Sequence, residues 1–110
     1  MKISQQVLQI RLNKIGNNDT EFIHKLIELF TKNAKKSLVI LTQKNPEKSL
    51  IEKQQTAHKL KSNFLLFEFE EAFDLASNIE NAPSLHEMAP YIVELNLVLP
   101  TILTALSDFE

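Results

Sequence analysis

Three histidines, His24, His58 and His86, are the side chains of this 110-residue chain best suited to chemistry near neutral pH. A neutral imidazole offers a ring lone pair to a proton, a metal or an electrophile. None of the three has a second histidine four residues on, so the helical metal pair is absent. The chain has no cysteine, which excludes disulfides, thiolate zinc sites and cysteine nucleophiles and suits a reducing compartment. No serine stands in a Gly-x-Ser-x-Gly context. With one glycine, Gly16, there is no loop that could bring a row of N–H groups against a phosphate. His24 and His86 read as surface residues. His58 is set apart by its neighbours. On a helix, Leu60 and Phe67 lie opposite it, so its side chain points outward. Within about 60° of it lie Ile51, Gln54, Gln55, Lys61, Ser62 and Leu65. A purely solvated face carries Glu and Lys throughout. Two aliphatics beside an imidazole suit the docking of a partner, although single exposed aliphatics are common.

The elements that must position these residues are helices. From Phe22, apolar residues recur at Ile23, Leu26, Ile27, Phe30, Ala34, Leu38 and Leu41, one stripe of a long amphipathic helix. Asn18 or Asp19 can cap its start, with Glu21 three residues after Asn18. It is expected to end near Lys44 and Asn45, before Pro46. A second helix is predicted over residues 47–67, with Leu50, Ala57, Leu60, Phe64 and Phe67 on one side. A third is predicted over 69–81, with Phe69, Ala72, Phe73, Ala76 and Ile79 inward. The last stretch, 85–107, carries the stripe Met88, Ile92, Leu95, Leu99, Ile102 and Leu106. Pro90 fits a first turn, whereas Pro100 is expected to kink or divide the helix. A short N-terminal helix around Val7, Ile10 and Leu12 precedes a turn at Gly16. Strand signals are weak. The expectation is an all-α fold: one domain over residues 1–110, an antiparallel four-helix bundle with a short extra N-terminal helix. No signal peptide is visible and no window approaches a membrane span, so the reading is soluble and cytoplasmic.

The net charge of −2 conceals a split. Residues 1–61 hold all twelve bases against five acids, a net of +7, and residues 62–110 hold nine acids and no base, a net of −9. Such asymmetry can mark a nucleic-acid or acidic-partner surface, or helices that attract one another within one domain. The second reading is preferred on electrostatic grounds.

The run Ala57-His58-Lys59-Leu60-Lys61-Ser62-Asn63-Phe64 resembles the signature of histidine-containing phosphotransfer (HPt) domains, Ala-His-x-Leu-Lys followed by Gly or Ser. Upstream, Leu12-Asn13-Lys14-Ile15-Gly16-Asn17-Asn18-Asp19-Thr20-Glu21-Phe22-Ile23 and Ile27-Glu28-Leu29-Phe30 are similar to the approach to that family's first long helix. Downstream, Leu75-Ala76-Ser77-Asn78-Ile79-Glu80 resembles its Leu-Ala-x-x-Leu-Glu helix. The likeness covers roughly residues 8–81; beyond it the chain is similar only in kind.

The resemblance implies a phosphorelay intermediate. His58 would accept a phosphoryl group, at Nε2 as is usual in the family, from a receiver aspartate or a kinase. It would then pass the group to another receiver. The partners implied are response-regulator receiver domains and a hybrid or sensor histidine kinase. Lys61, three residues on, can offset charge on the phosphoryl oxygens, or is one more surface lysine. Ser62 stands where a small residue lets the partner approach. Glu80 can orient the other ring nitrogen from the next helix, or is a plain surface glutamate. Ile51, Gln54, Gln55, Ser62 and Leu65 are the candidate docking residues. No ATP-binding kinase segment is present, so the chain is not expected to act as an ATP-dependent enzyme. No cofactor is implied, and the Mg²⁺ of transfer would belong to the receiver. One departure stands out: ten residues after the histidine, where the family commonly has glycine, this chain has Glu68.

Two alternatives stay open. One is a helical module that binds receivers or kinases without accepting phosphate. The other is a nucleic-acid binder using the basic half. It is disfavoured because those bases interleave with acids and core residues and no base-reading motif is apparent.

Overall fold

Helix starts and stops follow from local chemistry. The side chains of Ser4, Asp19 and Ser84 accept hydrogen bonds from the N–H groups of Val7, Phe22 and Glu87 at 3.3, 3.2 and 3.1 Å. Each satisfies a donor the helix itself cannot, worth about 1 kcal/mol per cap. Five helices result in the computed structural model, which describes residues 2–43 and 49–109: α1 Gln5–Gly16, α2 Thr20–Thr42, α3 Ser49–Leu66, α4 Glu70–Asn81 and α5 Leu85–Ser107. Among the described residues there is no strand. The expected end of α2 at Lys44 and Asn45 and the expected start of α3 at Glu47 lie outside the described residues. Within them, α2 closes at Thr42, and the buried Lys53 donates to the Gln43 carbonyl at 2.8 Å. A cation there suits the negative end of the helix dipole.

The helices form a bundle. α3 lies against α2 and α4, α5 also lies against α2 and α4, and α1 packs on α2. The core draws on every helix. Phe30 of α2 meets Phe67 edge-on at 4.9 Å and Phe64 at 6.1 Å, while Phe67 stacks on Phe69 at 5.9 Å. All six residues of the α5 stripe, Met88 to Leu106, are buried. α5 runs undivided through Pro100, so the division given as one of the two expected outcomes there does not occur, and Pro90 sits in its second turn rather than its first. Pro100 removes only the bond to the Asn96 carbonyl, and both residues are exposed, so water can serve that oxygen. Burial of Leu95, Val98, Leu99 and Ile102 holds the helix on either side. By length and a mean hydropathy of 1.5, α5 also meets the size of a membrane span, with 39% of that window buried in the bundle. This corrects the expectation that no window approaches one.

The expected short N-terminal helix is present as α1. Leu8 and Leu12 are buried, whereas Val7 and Ile10 are exposed. Gly16 is not the turn residue. The left-handed backbone belongs to Asn17 (φ 51°) and Asn18 (φ 63°), and Asp19 is therefore the α2 cap. Gly16 lies inside α1, buried, where a Cβ would come within 2.4 Å of Ile23 Cγ1. Its missing side chain lets α1 approach α2.

Candidate functional site

α3 carries its inward stripe on Ala57, Leu60, Phe64 and Phe67, all buried. That stripe fixes the helix rotation and sends His58 outward, with its side chain 64% exposed. α4 follows a three-residue turn and packs against α3. Its own buried stripe, Ala72, Leu75, Ala76 and Ile79, leaves Glu80 at the α3–α4 seam. There the Glu80 carboxylate meets two groups of α3. Oε1 lies 2.6 Å from His58 Nδ1, and Oε2 accepts from Lys61 Nζ at 2.6 Å. Lys61 is half-buried, its ammonium 5.9 Å from the centroid of the Phe73 ring.

The electrostatics follow from this geometry. The hydrogen bond from Lys61 holds the Glu80 carboxyl below the usual glutamate range; partial burial opposes this, and the hydrogen bond with His58 adds to it. An ionised carboxylate can only accept, so Nδ1 of His58 carries the proton that joins them. In the neutral ring Nε2 then keeps the lone pair, at the edge of the imidazole away from Glu80. The arrangement presents an exposed nucleophilic nitrogen, a fixed tautomer and an adjacent ammonium.

The residues expected around His58 are distributed as follows. Ile51, Gln55, Ser62 and Leu65 are exposed, and with His58 they form one ridge at spacings of three and four along α3. Ile51 and Leu65 are among the most exposed large apolar side chains, at 67% and 64%. Gln54 differs. It is half-buried, and its amide donates to the Ala82 carbonyl at 3.0 Å, tying α3 to the segment that follows α4. A groove of about 560 Å³ runs beside His58, walled by Ile51, Gln54, Gln55 and Glu80 and also by Lys59 and Asn81. Sequence reasoning did not single out Lys59, Asn81 or Phe73. For Phe73 a signal existed: it lies seven residues before Glu80 and so on the same side of α4. His24 and His86 are exposed. Among the described residues no group of three His, Asp or Glu side chains is placed to hold a metal ion.

Glu68 resolves the turn where glycine was missing. It adopts φ 59°, the left-handed conformation itself. The Phe69 N–H bonds the Phe64 carbonyl at 2.9 Å and the Glu68 N–H bonds that of Leu65 at 3.1 Å, the paired bonds of a Schellman motif. Arg11 reinforces it from α1, with Nε 3.5 Å from the Glu68 carboxylate and Nη1 donating to the Phe67 carbonyl at 3.4 Å. The border between basic and acidic halves is thus crossed by ion pairs at Lys61–Glu80 and Arg11–Glu68. Comparison of the chain with protein-family models, with curated proteins and with solved structures finds no match.

Proposed function

We propose that this protein is a histidine phosphotransfer module, and that its helices α2 to α5 form an antiparallel four-helix bundle with α1 as the extra element. The observation that carries the reading is the outward His58 whose Nδ1 is held by Glu80 while Lys61 shares the same carboxylate. In the proposed step Nε2 attacks the phosphorus of a receiver's aspartyl phosphate. A P–N bond forms, the P–O bond to the aspartate breaks, and the aspartate leaves as a carboxylate. Nδ1 keeps its proton, and the positive charge the ring acquires is balanced by Glu80. Lys61 offsets charge on the phosphoryl oxygens. Attack by a second receiver's aspartate reverses the step and returns the neutral ring.

The ridge of Ile51, Gln55, Ser62 and Leu65 is the proposed docking surface for receiver domains and for the kinase that feeds them. It has aliphatics for a partner to bury and, in Ser62, a small residue beside the reacting centre. The Mg²⁺ of the reaction is the receiver's, and the chain acts in the cytoplasm as a carrier without ATP-dependent activity of its own.

The test is to mix the purified protein with a phosphorylated receiver and follow label on the chain. The expected product is acid-labile and base-stable, and it is missing from His58→Gln. No transfer, or equal transfer to His58→Gln, refutes the proposal. Receiver binding that survives His58→Ala without any transfer would favour a docking module instead.

A further inference from the structure

The cleft between α2 and α3, on a different side of α3 from the ridge, has a chemistry of its own. Residues 29–43 contain three lysines, Lys32, Lys35 and Lys36, and no acid. Along the seam with α3, Lys36, Ser37 and Asn33 from α2 face Lys59 and Asn63 from α3, and Ile40 adds an apolar wall. They enclose about 240 Å³, less than half the volume of the His58 groove. The cleft centres about 130° round α3 from His58. Neither Lys36 nor Lys59 has a carboxylate partner among the described residues, unlike Lys25 with Glu21 and Lys61 with Glu80. Thr56, at the base of the cleft, is already satisfied by the Glu52 carbonyl.

We infer that this cleft is an anion site for a phosphate-bearing small molecule. Two lysines without carboxylate partners, one from each helix, line the same small volume. A hydroxyl and two side-chain amides add neutral donors between them. A phosphoryl group supplies what this set needs: two or more negative charges and several acceptor oxygens spread in three dimensions. A carboxylate offers one charge and two oxygens. An acidic helix, about 10 Å across, would lie over the cleft without filling it. Nucleic acid needs a track of cations matched to successive phosphates, whereas only two lysines line this cleft. Ile40 gives an apolar contact for the group that carries the phosphate. The site does not depend on the role of His58, and its failure would leave that role untouched.

The test is an amide-resolved NMR titration of the full chain with pyrophosphate and with inorganic phosphate, against sodium chloride at matched ionic strength. Saturable shifts centred on Lys36, Ser37, Lys59 and Asn63, larger for pyrophosphate than for chloride, are expected. Lys36→Gln and Lys59→Gln should each weaken binding about tenfold, the worth of one charge-assisted hydrogen bond. Lys25→Gln should leave it unchanged. Shifts that do not saturate, that chloride reproduces, or that spread over all the lysines overturn the inference. So does a short single-stranded oligonucleotide that binds more tightly than pyrophosphate through the same residues. The unsubstituted protein alone is sufficient for refutation, so the outcome does not hang on the variants folding.

Discussion

Glu68 occupies a left-handed position without being glycine, and the cost can be measured. For an L-residue with a Cβ the conformation costs about 1–2 kcal/mol. Replacing Glu68 by Gly removes that cost but adds about 0.4–1 kcal/mol of chain entropy in the unfolded state. Replacing it by Ala keeps the cost. Both substitutions lose the pair with Arg11, which at 3.5 Å and with the Glu68 side chain 58% exposed is worth about 0.5 kcal/mol or less. The ion pair therefore cancels between the two variants. Glu68→Gly should exceed Glu68→Ala in stability by about 0.5–1 kcal/mol, a gap of roughly 4 °C in Tm for a domain of this size. In a helix interior the order is reversed, with Gly about 1 kcal/mol worse than Ala. Urea unfolding of the two variants side by side reads the sign directly. An Ala variant as stable as the Gly variant, or more so, would mean that the α3–α4 turn does not hold Glu68 at positive φ, and the account of that turn would fall.

Gly16→Ala should destabilise by about 1–3 kcal/mol in thermal unfolding, because the new Cβ meets Ile23 at 2.4 Å; helix propensity alone would favour Ala, so a loss isolates crowding, and Gly16→Ala should cost less in an Ile23→Ala background, where the clash is relieved. Glu80 titrates below its ordinary range, so its contribution to stability is present above the unfolded-state value and is lost as pH falls through the folded one. Accordingly Glu80→Gln should be less stable than the parent at pH 7, and the gap should close in strong acid; a gap that persists at pH 2 would refute the assignment. Lys61→Met should slow label transfer to His58 by about tenfold or more while leaving the helical signal intact, since it removes the ammonium beside the proposed transfer site.

Much of the fold was legible because burial imposes a period. The α5 stripe from Met88 to Leu106 is a long run of threes and fours, and all six residues are inside. The α2 stripe was read correctly at Ile23, Ile27, Phe30, Ala34 and Leu41, whereas Phe22 is exposed. The existence of α1 was legible, but which of its faces turns inward was not, because a short helix offers more than one apolar face. Leu8 and Leu12 are four apart as readily as Val7 and Ile10 are three apart, and only the position of α2 selects between them. Pro100 does not divide α5, since propensity gives way where flanking side chains are deeply buried. The part of Gly16 was misjudged for the same reason: its conformation is ordinary, and the constraint on it comes from a neighbour in space.

At the candidate site, the sequence by itself determined that His58 faces outward with Lys61 one turn on and with Ile51, Gln55, Ser62 and Leu65 around it, because one helix relates all of them by rotation alone. It could not determine that Glu80, 22 residues away, holds His58 Nδ1 with one oxygen and Lys61 with the other. Nor could it show that Gln54 is tied to Ala82, or that unpaired Lys36 and Lys59 share a cleft. Those depend on the rotation and register of one helix against another. That register is set by the packing of side chains from all the helices at once, which no periodicity within a single segment records.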